Sequence, residues 1–207
     1  MAEISAKDVQ KLRQAAGVGM MDAKKALTET GGDFERAMEL LRVRGLSKVA
    51  KRAAERDAAD GTVGFYLHIQ ADRPVQGVLV ELACETDFVA KNPDFRQTAD
   101  DIAMHIAWGR PRWVNRQEVE PAELEKERDL ITRQAIAEGK PENIIPNIVE
   151  GRINSFFEDN VLYDQKFVNA QKFEGTVGDM VNQLAARMGE NITVRRFARV
   201  AVGETAT

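Results

Sequence analysis

An alternating apolar pattern near residue 65 constrains the fold of this chain more than any other feature. Every second residue over seven positions is a large apolar one: Val63, Phe65, Leu67 and Ile69. A period of two is typical of a β-strand. Segment 71–74 contains Asp and Pro and indicates a turn, and a second apolar segment, 75–84, follows it. The pattern therefore predicts a β-hairpin.

Helical periodicity covers most of the chain after the hairpin. Asn92-Pro93 is a good helix start, and apolar residues at helical spacing continue over 95–107, so we expect a helix that packs on the hairpin. Further helices are predicted to begin near Pro121 and Thr176, and another is predicted to begin or to kink at Pro146. A third strand is predicted over 192–202. Strands at both ends of this region predict an antiparallel sheet in which the last strand lies beside the hairpin.

The first 45 residues predict three short helices separated by glycines. The breaks fall at Gly17 to Gly19 and at Gly31-Gly32, and the third helix is expected to end before Gly45. Ser5 followed by Asp8 indicates the cap of the first helix. Three helices of this length have a thin core, so part of their apolar surface is expected to contact a partner.

These patterns predict an α+β fold with two parts. A three-helix N-terminal module is expected over 1–50, a linker over 51–60 and an α+β core over 61–207. The linker is rich in Ala, Lys, Arg and Glu and has no clear apolar face.

Composition limits the function classes. Lys and Arg number 29 against 33 Asp and Glu, a net charge of -4, which disfavours direct nucleic-acid binding. The single cysteine, Cys84, cannot form an internal disulfide, and the start of the chain has no export or transit pattern. No apolar run is long enough to span a membrane. We therefore expect a cytoplasmic protein.

Cys84 is the one candidate nucleophile for a thiol hydrolase. His68 or His105 would have to act as its base, and spacing identifies no third residue that would orient such a base. Buried structural roles are the usual ones for residues in such apolar segments and are favoured here. Two histidines and one cysteine, widely spaced, do not form a zinc motif. No metal ion and no cofactor are expected.

The segment 86–92 places a charged and a large aromatic residue side by side just after a predicted strand. Two interpretations of Asp87-Phe88 stay open. In the first, Phe88 folds back into the core while Asp87 caps the turn. In the second, Phe88 is an aromatic anchor for a pocket of a partner, and Asp87 accepts hydrogen bonds there or repels an anion.

The Gly17-x-Gly19 pair lies between two predicted helices rather than after a strand, so it does not form a nucleotide cradle. A tight turn is the simplest explanation. Val18, Met20 and Met21 would cluster at that turn, and pliable methionines suit a contact surface. A ubiquitin-like-binding adaptor is one alternative function, since Gly19-Met20-Met21 resembles the loop of such modules, but it leaves the second part of the chain unexplained.

Four ordered motifs closely resemble the bacterial elongation factor Ts family, and together they extend over essentially the whole chain. They are residues 9–27, the segment 86–92, the pair 150–153 with 165–168, and residues 196–200. The resemblance implies a ubiquitin-associated-like fold for the N-terminal module and a dimerisation-type core. It also implies a guanine-nucleotide exchange factor with no catalytic chemistry of its own.

The resemblance implies that the chain binds elongation factor Tu, in its GDP-bound and nucleotide-free forms. The N-terminal module is then expected to grip the partner's nucleotide-binding domain through Arg13, Val18, Met20 and Met21. A second set is expected to intrude between partner helices and dislodge the bound Mg²⁺, so that GDP leaves: Thr86, Asp87, Phe88 and Val89.

The length of the chain leaves two further alternatives open. Longer members of the family carry a duplicated core half, whereas this sequence stops soon after Gly203. The resemblance therefore implies either a homodimer or a different contact with the partner's outer domain.

Overall fold

The computed structural model describes residues 4–204. Within that range the chain forms eight α-helices and a three-stranded antiparallel sheet, and the predicted α+β fold is confirmed. None of the helices in the described range is both long and apolar enough to cross a membrane.

The N-terminal module contains three helices, and both ends of the first one follow the sequence signals. Ser5 caps the first helix by accepting a hydrogen bond from the Asp8 amide, and Gly17 ends it in the left-handed region with φ of 64°. Apolar side chains from all three helices form a small core of their own, which includes Leu12, Leu27 and Leu41. The helices are α1 (Ala6–Ala16), α2 (Met20–Glu29) and α3 (Phe34–Glu55).

The predicted end of the third helix before Gly45 is wrong. Helix α3 passes through Gly45 and continues to Glu55, into the predicted linker 51–60. A glycine lowers helix stability but does not stop a helix when tertiary contacts support the next turns. Val49 provides such a contact, because it is buried in the main core of the following part of the chain. Arg52 adds a hydrogen bond to the Ala185 carbonyl.

The sheet is formed by the hairpin and by the last strand, as predicted. Its order is β1-β2-β3, and both pairings are antiparallel. Ala71 and Asp72 form the tight hairpin turn, and both have positive φ, as a two-residue turn of this kind requires. The strands are β1 (Asp60–Gln70), β2 (Arg73–Cys84) and β3 (Thr193–Ala201).

One face of the sheet packs against the helix predicted after Asn92. This helix, α5 (Pro93–Gly109), buries Ile102 and Ile106 against Val80 and Leu82 of the strand β2. Gly64 of β1 makes the close approach possible, since a Cβ atom there would lie 2.3 Å from the backbone of Ala99. The short helix α4 (Asp87–Ala90) lies between β2 and α5.

The remaining helices follow the predicted starts. Pro121 and Pro146 both lie in the first turn of a helix, where a missing amide hydrogen is tolerated. Thr176 and Asp179 form a complete capping box. These helices are α6 (Pro121–Ala137), α7 (Ile145–Asn160) and α8 (Val177–Met188).

The other face of the sheet is apolar and exposed, and we call it the outer sheet face. The alternating residues that predicted β1 point to this side, away from α5. Each member exposes more than half of its surface, between 55% and 74%. The outer sheet face consists of Val63, Phe65, Leu67, Ile69, Leu79 and Val200.

Candidate functional site

The segment Thr86–Val89, here called the wedge segment, forms the first turn of helix α4 directly after strand β2. Thr86 is the N-cap, and its side-chain oxygen accepts a hydrogen bond from the Val89 amide at 3.4 Å. Val89 and Ala90 are buried in the main core. The turn is therefore anchored on its inner side, while Asp87 and Phe88 point away from the core.

Phe88 is 80% exposed, more than any other large apolar side chain in the described part of the chain. The interpretation in which Phe88 folds back into the core is therefore wrong. In a helical turn successive side chains point in directions about 100° apart, so burying Val89 and Ala90 leaves Phe88 on the solvent side. An aromatic ring held out in this way can be buried only by another molecule.

Asp87 is exposed beside Phe88 and is paired with Lys91 one turn later. The Lys91 Nζ atom donates to Asp87 Oδ2 at 2.6 Å. This hydrogen bond, with the charge of the ammonium group, lowers the pKa of Asp87. The carboxylate is therefore ionised at neutral pH. Because both partners are well exposed, the pair contributes little to stability and can be exchanged for other contacts at small cost.

A second carboxylate holds the start of the wedge segment. Glu190 accepts hydrogen bonds from the backbone amides of Glu85 and Thr86 and from the Thr86 hydroxyl. Sequence reasoning missed this residue, because it lies more than a hundred positions from the segment that it contacts. Only the return of β3 beside β2 brings the two together.

The predicted N-terminal contact residues lie around the turn between α1 and α2. Met21 is 76% exposed and Met20 is 48% exposed. Arg13 is exposed on α1, and its carbonyl accepts the Gly17 amide. Val18 differs from the other three, because it is half-buried against the small core of the module. Among residues 4–204, no hydrogen bond or ion pair joins this surface to the wedge segment.

Cys84 is fully buried at the end of β2, and its thiol donates to the Thr86 carbonyl at 3.2 Å. Burial, with a smaller contribution from the Glu190 charge, raises the pKa of the thiol to about 11. His105 is bonded to Gln165 and to the Val168 amide, and His68 to the Tyr66 hydroxyl. A protonated, buried thiol without a histidine partner does not fit a nucleophile, and the hydrolase interpretation loses its support.

Most of the candidate residues are thus presented outward, in two separate places, and are not gathered in a cleft. This arrangement is typical of a protein that acts by binding another macromolecule. Val89 differs, because its side chain is 6% exposed and packs in the main core, so it anchors the turn and does not offer a contact surface.

Comparisons with known proteins give the family. A family model described as Elongation factor TS matches residues 6–174. An elongation factor Ts of Desulforamulus reducens is 50% identical over 99% of this chain and 91% of its own length. One of Syntrophomonas wolfei is 48% identical over 97% of this chain and 91% of its own length. One of Thermosipho melanesiensis is 47% identical over 97% of this chain and its entire length.

The chain belongs to the elongation factor Ts family. Membership of this family supports a nucleotide-exchange role in translation elongation.

The state of Cys84 gives a direct prediction about its reactivity. At pH 8 a thiol with a pKa near 11 is ionised in about one molecule in a thousand, and burial hinders access further. Labelling by iodoacetamide, followed by mass spectrometry, should be at least about a hundred-fold slower in the native protein than in urea. Rapid labelling of the native protein at pH 8 would contradict a buried, protonated thiol.

Proposed function

We propose that this chain is a guanine-nucleotide exchange factor that binds elongation factor Tu and promotes the release of its GDP. The observation that carries the proposal is the wedge segment, in which an exposed aromatic ring stands beside an ionised carboxylate on an anchored helical turn. The family membership supports the choice of partner.

The chemistry of the wedge segment suits the disturbance of a nucleotide site. GDP is held largely through its phosphates and through Mg²⁺, which requires near-ideal octahedral geometry. The Phe88 ring would enter a pocket between partner helices and displace the backbone that lines the phosphates. The Asp87 carboxylate would then lie close to the metal and phosphate groups, where a negative charge repels phosphate and competes for metal coordination. Either effect weakens the hold on GDP.

Binding of the partner and disturbance of its nucleotide site are assigned to different parts of the chain. We propose that Arg13, Val18, Met20 and Met21 grip the nucleotide-binding domain of the partner, and that the three-helix module over 1–50 carries this contact. The core over 61–207 then presents the wedge segment, with 51–60 joining the two. The exposed methionines support the first assignment, because flexible thioether side chains adapt to a partner surface.

Exchange follows from linkage between the two ligands of elongation factor Tu. The factor must bind the nucleotide-free partner more tightly than the GDP-bound partner, by the same ratio as it weakens GDP binding. It therefore binds both forms and makes or breaks no covalent bond. Any contact of Phe88 that forms only when the nucleotide site is distorted contributes directly to that ratio.

The outer sheet face supports a second proposal, that two copies of this chain associate through it. Six apolar side chains form a continuous face that no element of the described residues covers, although a stable domain normally packs both apolar faces of its layers. A second copy offers a face of the same size and character, and a two-fold axis brings like surfaces together. The Arg196 to Glu81 ion pair, at 2.7 Å, lies beside this apolar area and supplies a polar rim.

The exchange proposal predicts a specific loss in a double variant. Asp87→Ala with Phe88→Ala should slow the release of fluorescent GDP from elongation factor Tu by at least about thirty-fold. Loss of a buried Phe anchor alone removes about 2 kcal/mol of interaction, which is a factor of about thirty. Stopped-flow fluorescence measures the rate, and circular dichroism checks the fold.

A matched control exists on α6. Asp129 and Leu130 are also an exposed Asp followed by an exposed apolar residue, and Asp129 pairs with Arg133 one turn later. Asp129→Ala with Leu130→Ala should leave GDP release within two-fold of the unsubstituted protein. If the unsubstituted protein at micromolar concentration does not accelerate GDP release, the exchange proposal is wrong. Binding of a ubiquitin-like protein without exchange would instead favour the adaptor function.

The dimer proposal predicts a change of mass on charge insertion. Light scattering after size-exclusion chromatography should give twice 23.0 kDa for the unsubstituted chain and 23.0 kDa for Phe65→Glu. The matched control is Phe88→Glu, which places the same charge on another exposed Phe and should leave the dimer intact. A monomer for the unsubstituted chain at 50 μM, or an intact dimer for Phe65→Glu, would count against the proposal.

A further inference from the structure

The chain leaves the sheet at Cys84 and enters helix α4 at Asp87, and two residues connect these elements. Cys84 is the last residue of β2 with a ladder partner. The amides of Glu85 and Thr86 therefore have no strand to bind. Unpaired amides at such a place are costly when they are shielded from water, and they leave the direction of the chain poorly defined.

The Glu190 carboxylate supplies the hydrogen-bond acceptors that a neighbouring strand would otherwise provide. Its Oε2 atom accepts from the Glu85 amide at 2.9 Å and from the Thr86 amide at 3.1 Å. Its Oε1 atom accepts from the Thr86 hydroxyl at 2.6 Å. One half-buried carboxylate thus satisfies three donors at the start of the wedge segment. Hydrogen bonds to an ionised acceptor are shorter and stronger than those between neutral groups.

The bond to the Thr86 hydroxyl also fixes the cap of α4. A hydroxyl group has one hydrogen to donate, and here Glu190 takes it. The remaining lone pairs of the Thr86 oxygen then face the Val89 amide, which they accept at 3.4 Å. The carboxylate of Glu190 therefore determines the orientation of the N-cap, and through it the direction of the turn that carries Phe88.

Glu190 is itself held in place. It follows Gly189, which ends α8 in the left-handed region with φ of 79°. The next residue, Asn191, donates its backbone amide to Glu85 Oε1 at 2.6 Å and its side-chain amide to the Arg56 carbonyl at 2.6 Å. Arg56 also forms an ion pair with Glu85 at 3.3 Å. The bonds run in both directions between the two loops, so neither moves without the other.

We propose that Glu190 is a positioning residue for nucleotide exchange, which holds the Thr86–Val89 wedge segment in the direction that lets Phe88 enter the partner. This inference rests on the proposed exchange function. Glu190 contacts Thr86 and not the nucleotide, and its effect is transmitted through the cap of α4. Formation of the complex is assigned to the N-terminal module. Loss of the Glu190 carboxylate should therefore slow GDP release within the complex more than it weakens binding of the partner.

The test measures GDP release from elongation factor Tu over a range of factor concentrations. Glu190→Ala should lower the maximal release rate at least ten-fold and leave the half-saturating concentration within about three-fold. Glu190→Gln keeps the shape of the side chain and one acceptor oxygen. Its NH₂ group replaces the other oxygen and cannot accept from the donors of residues 85 and 86, so the maximal rate should be intermediate. Thr86→Val should slow release as well, and combining it with Glu190→Ala should add little, because both remove the same bond.

The matched control is Glu118→Ala. Glu118 also accepts from a backbone amide, that of Val114, and from the side chain of Asn115, at a place away from the wedge segment. This variant should keep the maximal rate within two-fold. Hydrogen exchange measured by mass spectrometry should show faster exchange of residues 85–90 in Glu190→Ala, with segments other than the bonded loop 189–191 unchanged.

The outcomes separate the two proposals. If the unsubstituted protein does not accelerate GDP release from elongation factor Tu, the exchange function itself is wrong. The double variant of Asp87 and Phe88 could promote GDP release slowly while both Glu190 variants promote it at the normal maximal rate. In that case the exchange function stands and the positioning role of Glu190 is overturned. Equal losses in Glu118→Ala and Glu190→Ala, or unchanged hydrogen exchange at 85–90, would also overturn it.

Discussion

The packing of α5 on the sheet is the constraint on which the rest of the structure depends. Gly64 lets the helix approach β1 closely, and apolar residues of β2 and α5 fill the space between them. The end of β2 and the start of α5 are then both fixed, and eight residues, 85–92, must join them. Val89 and Ala90 turn inward to complete the core. The same turn necessarily points Asp87 and Phe88 outward, so the exposure of these two side chains follows from the packing of the core.

Local sequence signals predicted most of the elements because the physical causes are local. The caps at Ser5 and Thr176 and the prolines at 121 and 146 act within one helical turn, and the structure has helices starting at each. The helix end predicted at Gly45 is wrong, because burial of Val49 in the main core keeps α3 helical beyond that glycine. The alternation over 63–69 correctly predicted a strand but not that its apolar side would face outward. Which side of β1 faces outward depends on where α5 packs, and Gly64 allows that packing on the opposite face. This is a tertiary contact that the local pattern does not contain.

The candidate site shows the same division between local and distant causes. The pairing of Asp87 with Phe88 is visible in the sequence, and the motif resemblance identified the residues around it. Physical reasoning from the sequence left a buried and an exposed Phe88 as alternatives, and the structure has it exposed. Glu190 could not be found from spacing, since it reaches Thr86 only through the pairing of β3 with β2. The outer sheet face likewise became evident only when the position of α5 was known.

We propose that nucleotide exchange depends on entry of the exposed Phe88 ring into the nucleotide-binding domain of elongation factor Tu. The most direct measurement replaces Phe88 by the photoreactive p-benzoylphenylalanine and maps its crosslinks to nucleotide-free elongation factor Tu by mass spectrometry, with Leu130 replaced in the same way for comparison. We expect crosslinks from position 88 to the segments that line the phosphate and Mg²⁺ site, suppressed by excess unsubstituted factor, and none at that site from position 130. Crosslinks from position 88 only to the partner's outer domains, or no crosslink at all, would contradict it.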